Sequence, residues 1–287
     1  MALRITHHAA LRSIPVGRIT HYVVRITYYV LFVVLLAACA ETPQVTREPV
    51  RLRIGDASDQ AAVIDKLIDA YAHNHEWVTF TNDALSIKDA IDRVSNEHLD
   101  IAILPSSPEQ ANARLWTSGL AYDPLAIIVH PSNPTNDLTL LQLRDIFQGR
   151  TFDWTPYGGT GEVIPVSREA NALARTLFEQ RVMNNRAVTL NAVLKPSAQD
   201  VIDFVARTPG AIGYVSLSHI DARVKVLSIE GVKPDPASAA SGKYVLSAPI
   251  YLIAKAEPTS DAREFVAWLL GDEGQSLLSQ LGFGRVR

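Results

Sequence analysis

Cysteine is almost absent: Cys39 is the only one in 287 residues. Intrachain disulfides are therefore excluded, and so are metal centres built from several thiolates. Catalytic signatures are missing too. No G-x-S-x-G elbow, H-E-x-x-H pair or G-x-x-x-x-G-K-[ST] loop occurs. Basic charge is sparse, with 27 Lys and Arg against 30 Asp and Glu and no clustered basic stripe, so nucleic acid is not an expected partner. The uncharged run "ITYYVLFVVLL" at 26–36 has eleven residues, short of the ~20 that a membrane span needs. Of the eight histidines, three lie before residue 39, and among the other five His73 and His75 form the only close pair. They sit at the polar end of a helical pattern with no third ligand in view and read as a solvated helix terminus. Gly158-Gly159-Thr160-Gly161 could cradle a phosphate, but no helix follows it directly, and a flexible turn is the simpler reading. No enzyme, metal or cofactor is expected.

What is present begins with a leader. Arg4, Arg12, Arg18 and Arg25 precede the apolar run, which closes in Leu36-Ala37-Ala38-Cys39. Eleven residues is the length of a signal-peptide core. Small residues before a lone cysteine resemble the lipobox of bacterial lipoproteins, which implies that Cys39 is lipidated and becomes the mature N-terminus. The expected layout is a signal peptide at 1–38 and a polar tether at 39–49, including "ETPQVTRE". Removing the leader leaves 23 basic against 30 acidic side chains, a net charge of −7 for an exported, membrane-anchored chain.

The remaining ~240 residues alternate strand-like and helix-like segments, the pattern of an α/β fold. "VRLRI" (50–54) reads as a strand. A helix follows with Val63, Ile64, Leu67, Ile68 and Tyr71 on one face, capped by Ser58 or Asp59. A second helix carries Ile87, Ala90, Ile91 and Val94 behind Ser86. "LDIAIL" (99–104), "LAIIV" (125–129), "EVIPV" (162–166), "AIGYVSL" (211–217) and "YVLSAPIYLIAK" (244–255) read as strands, with 234–242 as a linker. A chain of this size can bury its core as one body or as two lobes, and periodicity does not choose between them.

The stretch "VSREANALARTLFEQ" (166–180) places Arg168 where a strand end runs into a helical stripe beginning at Ala170. Unpaired first-turn N–H groups and the helix dipole favour an anion there. Yet Asn171-Ala172-Leu173-Ala174 supplies few donors. Arg168 can equally pair with Glu169, Asp56 or Asp59.

Several stretches in order resemble the phosphate-binding proteins of bacterial phosphate ABC transporters. They are "DPLAIIVHPSNPTNDLTLLQLRDIFQGRTFDW" (123–154), "TPGAIGYVSLS" (208–218), "KYVLSAPIYLIAK" (243–255) and "EFVAWLLGDEGQSLLSQLGF" (264–283). The resemblance runs from about residue 50 to the C-terminus. It implies an α/β, two-lobed periplasmic-binding-protein fold of type II, each lobe a mixed, mostly parallel sheet flanked by helices. Residues 50–121 plus 250–287 would form lobe 1 and 122–249 lobe 2, with crossings near 120–127 and 246–252. A ligand would sit in the cleft between them.

The family's ligand residues transfer unevenly. Its cleft arginine falls on Arg168. Its Ser-Gly-Thr falls on Ala172, Leu173 and Ala174, so both hydroxyls are gone. Its aspartate falls on Pro105, with Ser106 beside it, and its first-loop threonine falls near Ser58, flanked by Asp56 and Asp59. Its Gly-Ser-rich loop has become 82–86, where Ser86 keeps a hydroxyl. Each lost hydrogen bond to an ion is worth ~1.5–3 kcal/mol, so two missing hydroxyls remove between two and four decades of affinity.

The expected contacts of a ligand are thus Arg168, Asn171, Ser58, Ser86 and Ser106. The expected role is a monomeric, lipid-anchored solute-binding protein of an ABC permease, taking a small molecule or oxyanion but phosphate only weakly. The competing readings are a scaffold or sensor lipoprotein reusing the fold, and a hydrolase.

Overall fold

A computed structural model of the protein describes residues 28, 47–57, 60–105, 115–170 and 172–286. The expected leader apart from residue 28, the expected lipidation site Cys39, and the expected contacts Ser58, Ser106 and Asn171 lie outside these residues.

In chain order the elements are β1 (Val50–Ala57), α1 (Ala61–Ala72), β2 (Val78–Leu85), α2 (Ile87–Ser95), β3 (Ile101–Leu104), β4 (Trp116–Val129), β5 (Asp137–Leu138), α3 (Leu140–Phe147), β6 (Ile164–Arg168), α4 (Leu173–Arg181), β7 (Val193–Lys195), α5 (Ala198–Arg207), β8 (Ala211–Ser216), β9 (Lys225–Val226), β10 (Ser228–Ile229), α6 (Pro236–Ala240), β11 (Ser247–Ala254), α7 (Ser260–Leu270), α8 (Asp272–Gln280) and β12 (Gly284–Arg285).

One sheet runs in the order β2-β1-β3-β11-β4-β8-β6-β7. The outer pairs, β1 with β2 and β3 and β6 with β7 and β8, are parallel. The central pairs around β4 and β11 are antiparallel. β4 is long enough to serve two neighbours: Trp116 to Pro124 pair with β11, and Leu125 to Val129 with β8. Hydrophobic clusters divide along the same line. One pair of clusters draws its buried residues from 52–121 and 250–283, the other pair from 125–246.

Local rules explain most elements. Alternation along β1 turns Leu52, Ile54 and Asp56 to one buried face, so a carboxylate occupies a core-facing position. Helix α1 buries Val63, Ile64, Leu67, Ile68 and Tyr71. Ser86 caps α2 and Ser197 caps α5. Thr139 and Gln142 close a capping box on α3.

Four readings change. Residues 82–85 are not a loop but the end of β2, whose pairing partner β1 no local pattern announces. The linker 234–242 contains α6, with Pro236 in its first turn and Asp235 as cap. The helix after Arg168 begins at Leu173, not Ala170. His75 is not a solvated terminus: its ring stacks on Tyr71 at 3.8 Å and meets Trp77 edge-on.

Gly210 shows a close backbone approach that its neighbours require. A β-carbon there would lie 2.2 Å from the Glu162 carbonyl oxygen. Its own carbonyl accepts from Ile164 N at 2.9 Å and from the buried Trp154 Nε1 at 3.0 Å. Gly210→Ala is expected to cost about 1–3 kcal/mol, the range for overpacking. Urea denaturation checks it, and an unchanged midpoint would show that the 162–164 strand edge yields freely.

Candidate functional site

The site is built on the ends of β6 and β8 and the middle of β4. Ser167 Oγ and the Tyr214 hydroxyl are 2.6 Å apart, and Tyr214 stacks on Phe178 of α4 at 4.1 Å. Burial pushes the Tyr214 phenol up to about 12, so it stays a neutral hydrogen-bonding partner. This packing fixes the strand end from which Arg168 projects. Arg168 is 4% exposed, and its Nη2 donates to the Pro196 carbonyl at 2.9 Å. Arg175 holds the backbone behind it, donating to the Arg168 carbonyl at 3.1 Å and pairing with Glu179 at 2.8 Å.

A cavity of about 330 Å³ opens beside Arg168. Gln60, Ile87 and Pro105 line it from the early segments, and Leu173, Leu177 and Arg181 from α4. Between them stand Asp123 of β4 and Ser216 of β8. Ser216 Oγ donates to Asp123 Oδ1 at 2.5 Å and Gln60 Nε2 to Asp123 Oδ2 at 3.3 Å. The hydroxyls of Ser216 and Ser218 are 2.9 Å apart, and Ser218 Oγ is 3.2 Å from His219 Nδ1. The cavity therefore carries a buried cation on one element and a hydrogen-bonded carboxylate on another. Among the described residues, a larger open groove of about 1070 Å³ has Arg181 as its only charged lining residue, and lacks such convergence.

Helix α4 starts at this cavity without a side-chain cap: Ala172 is its N-cap. Its first N–H groups have no intrahelical partners, a favourable end for negative charge. Leu173 lines the cavity and also packs against the cluster of Ala90, Val94, Leu99, Ala102, Leu104 and Ile253, whereas its neighbours Ala174 and Leu177 pack against the cluster of 125–246.

Of the expected contacts, Arg168 lies in the cavity. Ser86 is exposed and outside its lining: Oγ accepts from Asp89 N at 3.1 Å and donates to Asp89 Oδ2 at 2.7 Å, capping α2. Asp83 pairs with Arg93 at 2.8 Å. Asp56 is fully buried, away from the cavity lining, and its carboxyl is pushed up to about 6, chiefly by burial. Asp123, Ser216 and Gln60 were not anticipated. Asp123 had a signal, as the only charged residue in 120–129.

Comparison with known proteins follows the same outline. The phosphate-binding protein PstS of Bacillus subtilis is 32% identical over 162 residues, 55% of this chain and 54% of that protein. The chain thus spans about half the length of this curated relative. PstS of Staphylococcus epidermidis is 22% identical over 244 residues, 77% of this chain and 74% of that protein. An ABC-type phosphate transport receptor from Vibrio cholerae superposes with a TM-score of 0.69 at 26% identity, covering 81% of this chain and 99% of that one. A Clostridium perfringens chain assigned to phosphate ABC transport, solved with bound phosphate, gives a TM-score of 0.73 at 25% identity, covering 83% and 100%. The fold is that of type II periplasmic binding proteins. Residues 43–273 match the model of the PBP superfamily domain, and the chain belongs to that family.

Proposed function

We propose that the chain is an extracytoplasmic, lipid-anchored solute-binding protein that delivers a small anion to an ABC permease, with a phosphate site that has degenerated. It binds and does not catalyse. The observation that carries this reading is the buried Arg168 in a cavity lined from both sides of the long strand β4. The segregation of core clusters into 52–121 plus 250–283 and 125–246 supports two lobes, 50–121 plus 250–287 and 122–249, hinged where β4 and β11 cross. The phosphate-related names of its relatives support an oxyanion-type ancestor. Ala172, Leu173, Ala174 and Pro105 argue that tight phosphate binding has been lost.

The second reading, a scaffold or sensor lipoprotein, is favoured by one feature. Leu173 already joins segments on both sides of the cavity through apolar contact. A protein held closed in this way could report on its partners without cargo. Purification from native membranes separates the two: the transport reading expects a permease and its ATPase to accompany the chain, and their absence contradicts it. Anchoring is tested alongside. Cys39→Ser is expected to move the protein from the membrane to the soluble fraction, and unchanged membrane association with normal leader processing would overturn the lipid anchor.

A further inference from the structure

Resting on the solute-binding reading, we propose that the cavity takes a small organic acid carrying a hydrogen-bond donor beside its acid group, in place of an inorganic oxyanion. Three features of the cavity converge on that class.

Size comes first. At about 330 Å³ the cavity falls at the lower end of small-molecule sites, ~300–1,000 Å³. At roughly 30 Å³ per water this is room for about ten waters, far more than a single tetrahedral oxyanion displaces. The surplus volume is bounded by Ile87, Leu173 and Leu177, and burying methyl groups against them is favourable where leaving water there is not.

Charge comes second. Arg168 offers a fixed, buried cation for one acid group. Asp123 faces the same cavity, held by Ser216 Oγ and Gln60 Nε2. A symmetric dianion between them would be attracted by Arg168 and by the exposed Arg181 of the lining, and repelled by Asp123. A ligand whose acid group meets Arg168 while a hydroxyl or ammonium meets Asp123 satisfies both, since each carboxylate oxygen can accept more than once.

Selectivity comes third. A site that presents a polar group to a ligand donor discriminates strongly against the analogue that lacks it, because the site's own polar group loses a partner on closure. Asp123 is therefore the residue that sets specificity, and Leu173 selects for an apolar body.

Titration calorimetry on the mature chain tests this with five probes: valine, 2-hydroxyisovalerate, isovalerate, glycolate and inorganic phosphate. Valine or 2-hydroxyisovalerate is expected to bind at least tenfold more tightly than isovalerate and than phosphate, and which of the two prevails identifies the donor. Asp123→Asn is expected to shrink the preference for valine over isovalerate at least tenfold. Should that variant fail to fold, Ser216→Ala, which frees the Asp123 carboxylate from one donor, is expected to alter the same ratio. Equal affinity for valine, 2-hydroxyisovalerate and isovalerate would overturn the proposal, as would a preference for phosphate, which leaves solute binding itself intact. Binding of no probe also overturns it, and the membrane purification above then decides the transport reading separately.

Discussion

Asp56→Asn is expected to stabilise the protein by about 3 kcal/mol at pH 7.5 and to have little effect at pH 4. Asp56 is 0% exposed, and neither carboxylate oxygen has a hydrogen-bond partner among the described residues. Its carboxyl is raised from 3.8 to about 6, first by desolvation and also by the charge of Asp65, against a lowering contribution from Asn82. A carboxyl that is easier to protonate in the folded state makes the folded state bind more protons than the unfolded one between these values. Stability then falls as pH rises from about 4 to about 6, and the loss is complete above. At ~1.4 kcal/mol per unit, the total is about 3 kcal/mol. Asparagine removes the charge at constant shape, and its amide can donate to Asn82 Oδ1, which also lacks a partner among the described residues. Urea melts of both proteins at pH 4, 5, 6 and 7.5 measure the difference. Parallel stability curves across that range would show that Asp56 is not buried as a charge.

The largest change in binding is expected from rebuilding the start of α4. Ala172→Ser, Leu173→Gly and Ala174→Thr together return two hydroxyls and a backbone approach to the uncapped helix end beside Arg168. Two hydrogen bonds to an ion contribute ~3–6 kcal/mol, so phosphate affinity should rise at least a hundredfold. The same change removes the Leu173 contact with the Ala90–Leu104 side and places glycine in the first helical turn, at about 1 kcal/mol for the propensity alone. Melting temperature should therefore fall in the ligand-free variant and recover on adding phosphate. A variant that loses stability and gains no phosphate affinity would show that the anion site was never at this helix end.

How far these features were legible from the sequence depends on their range. Helix faces such as Val63, Ile64, Leu67 and Ile68, and caps such as Ser86, are written in local spacing and needed no structure. Strand β2 was missed because its residues 79–83 are largely polar and its order comes from pairing with β1. Its last residues looked like a loop for the same reason. At the site, Arg168 announced itself by its place between a strand and a helix. Gln60 and Ser216 did not, and the lone charge of Asp123 in 120–129 named no partner, because the three meet across separations of 63 and 93 residues. Asp56 was legible in principle, since alternation from Leu52 and Ile54 already turned it inward. The resemblance drew attention instead to the loop that follows it.

The central claim, that the fold persists while tight phosphate recognition does not, is tested most directly by titrating inorganic phosphate into the mature chain at near-physiological salt. Arg168 and the α4 N-terminus still favour negative charge, at ~0.3–1 kcal/mol for the helix end, so weak binding with a constant no better than the high micromolar range is the predicted result. A submicromolar constant that Arg168→Ala abolishes would contradict the account.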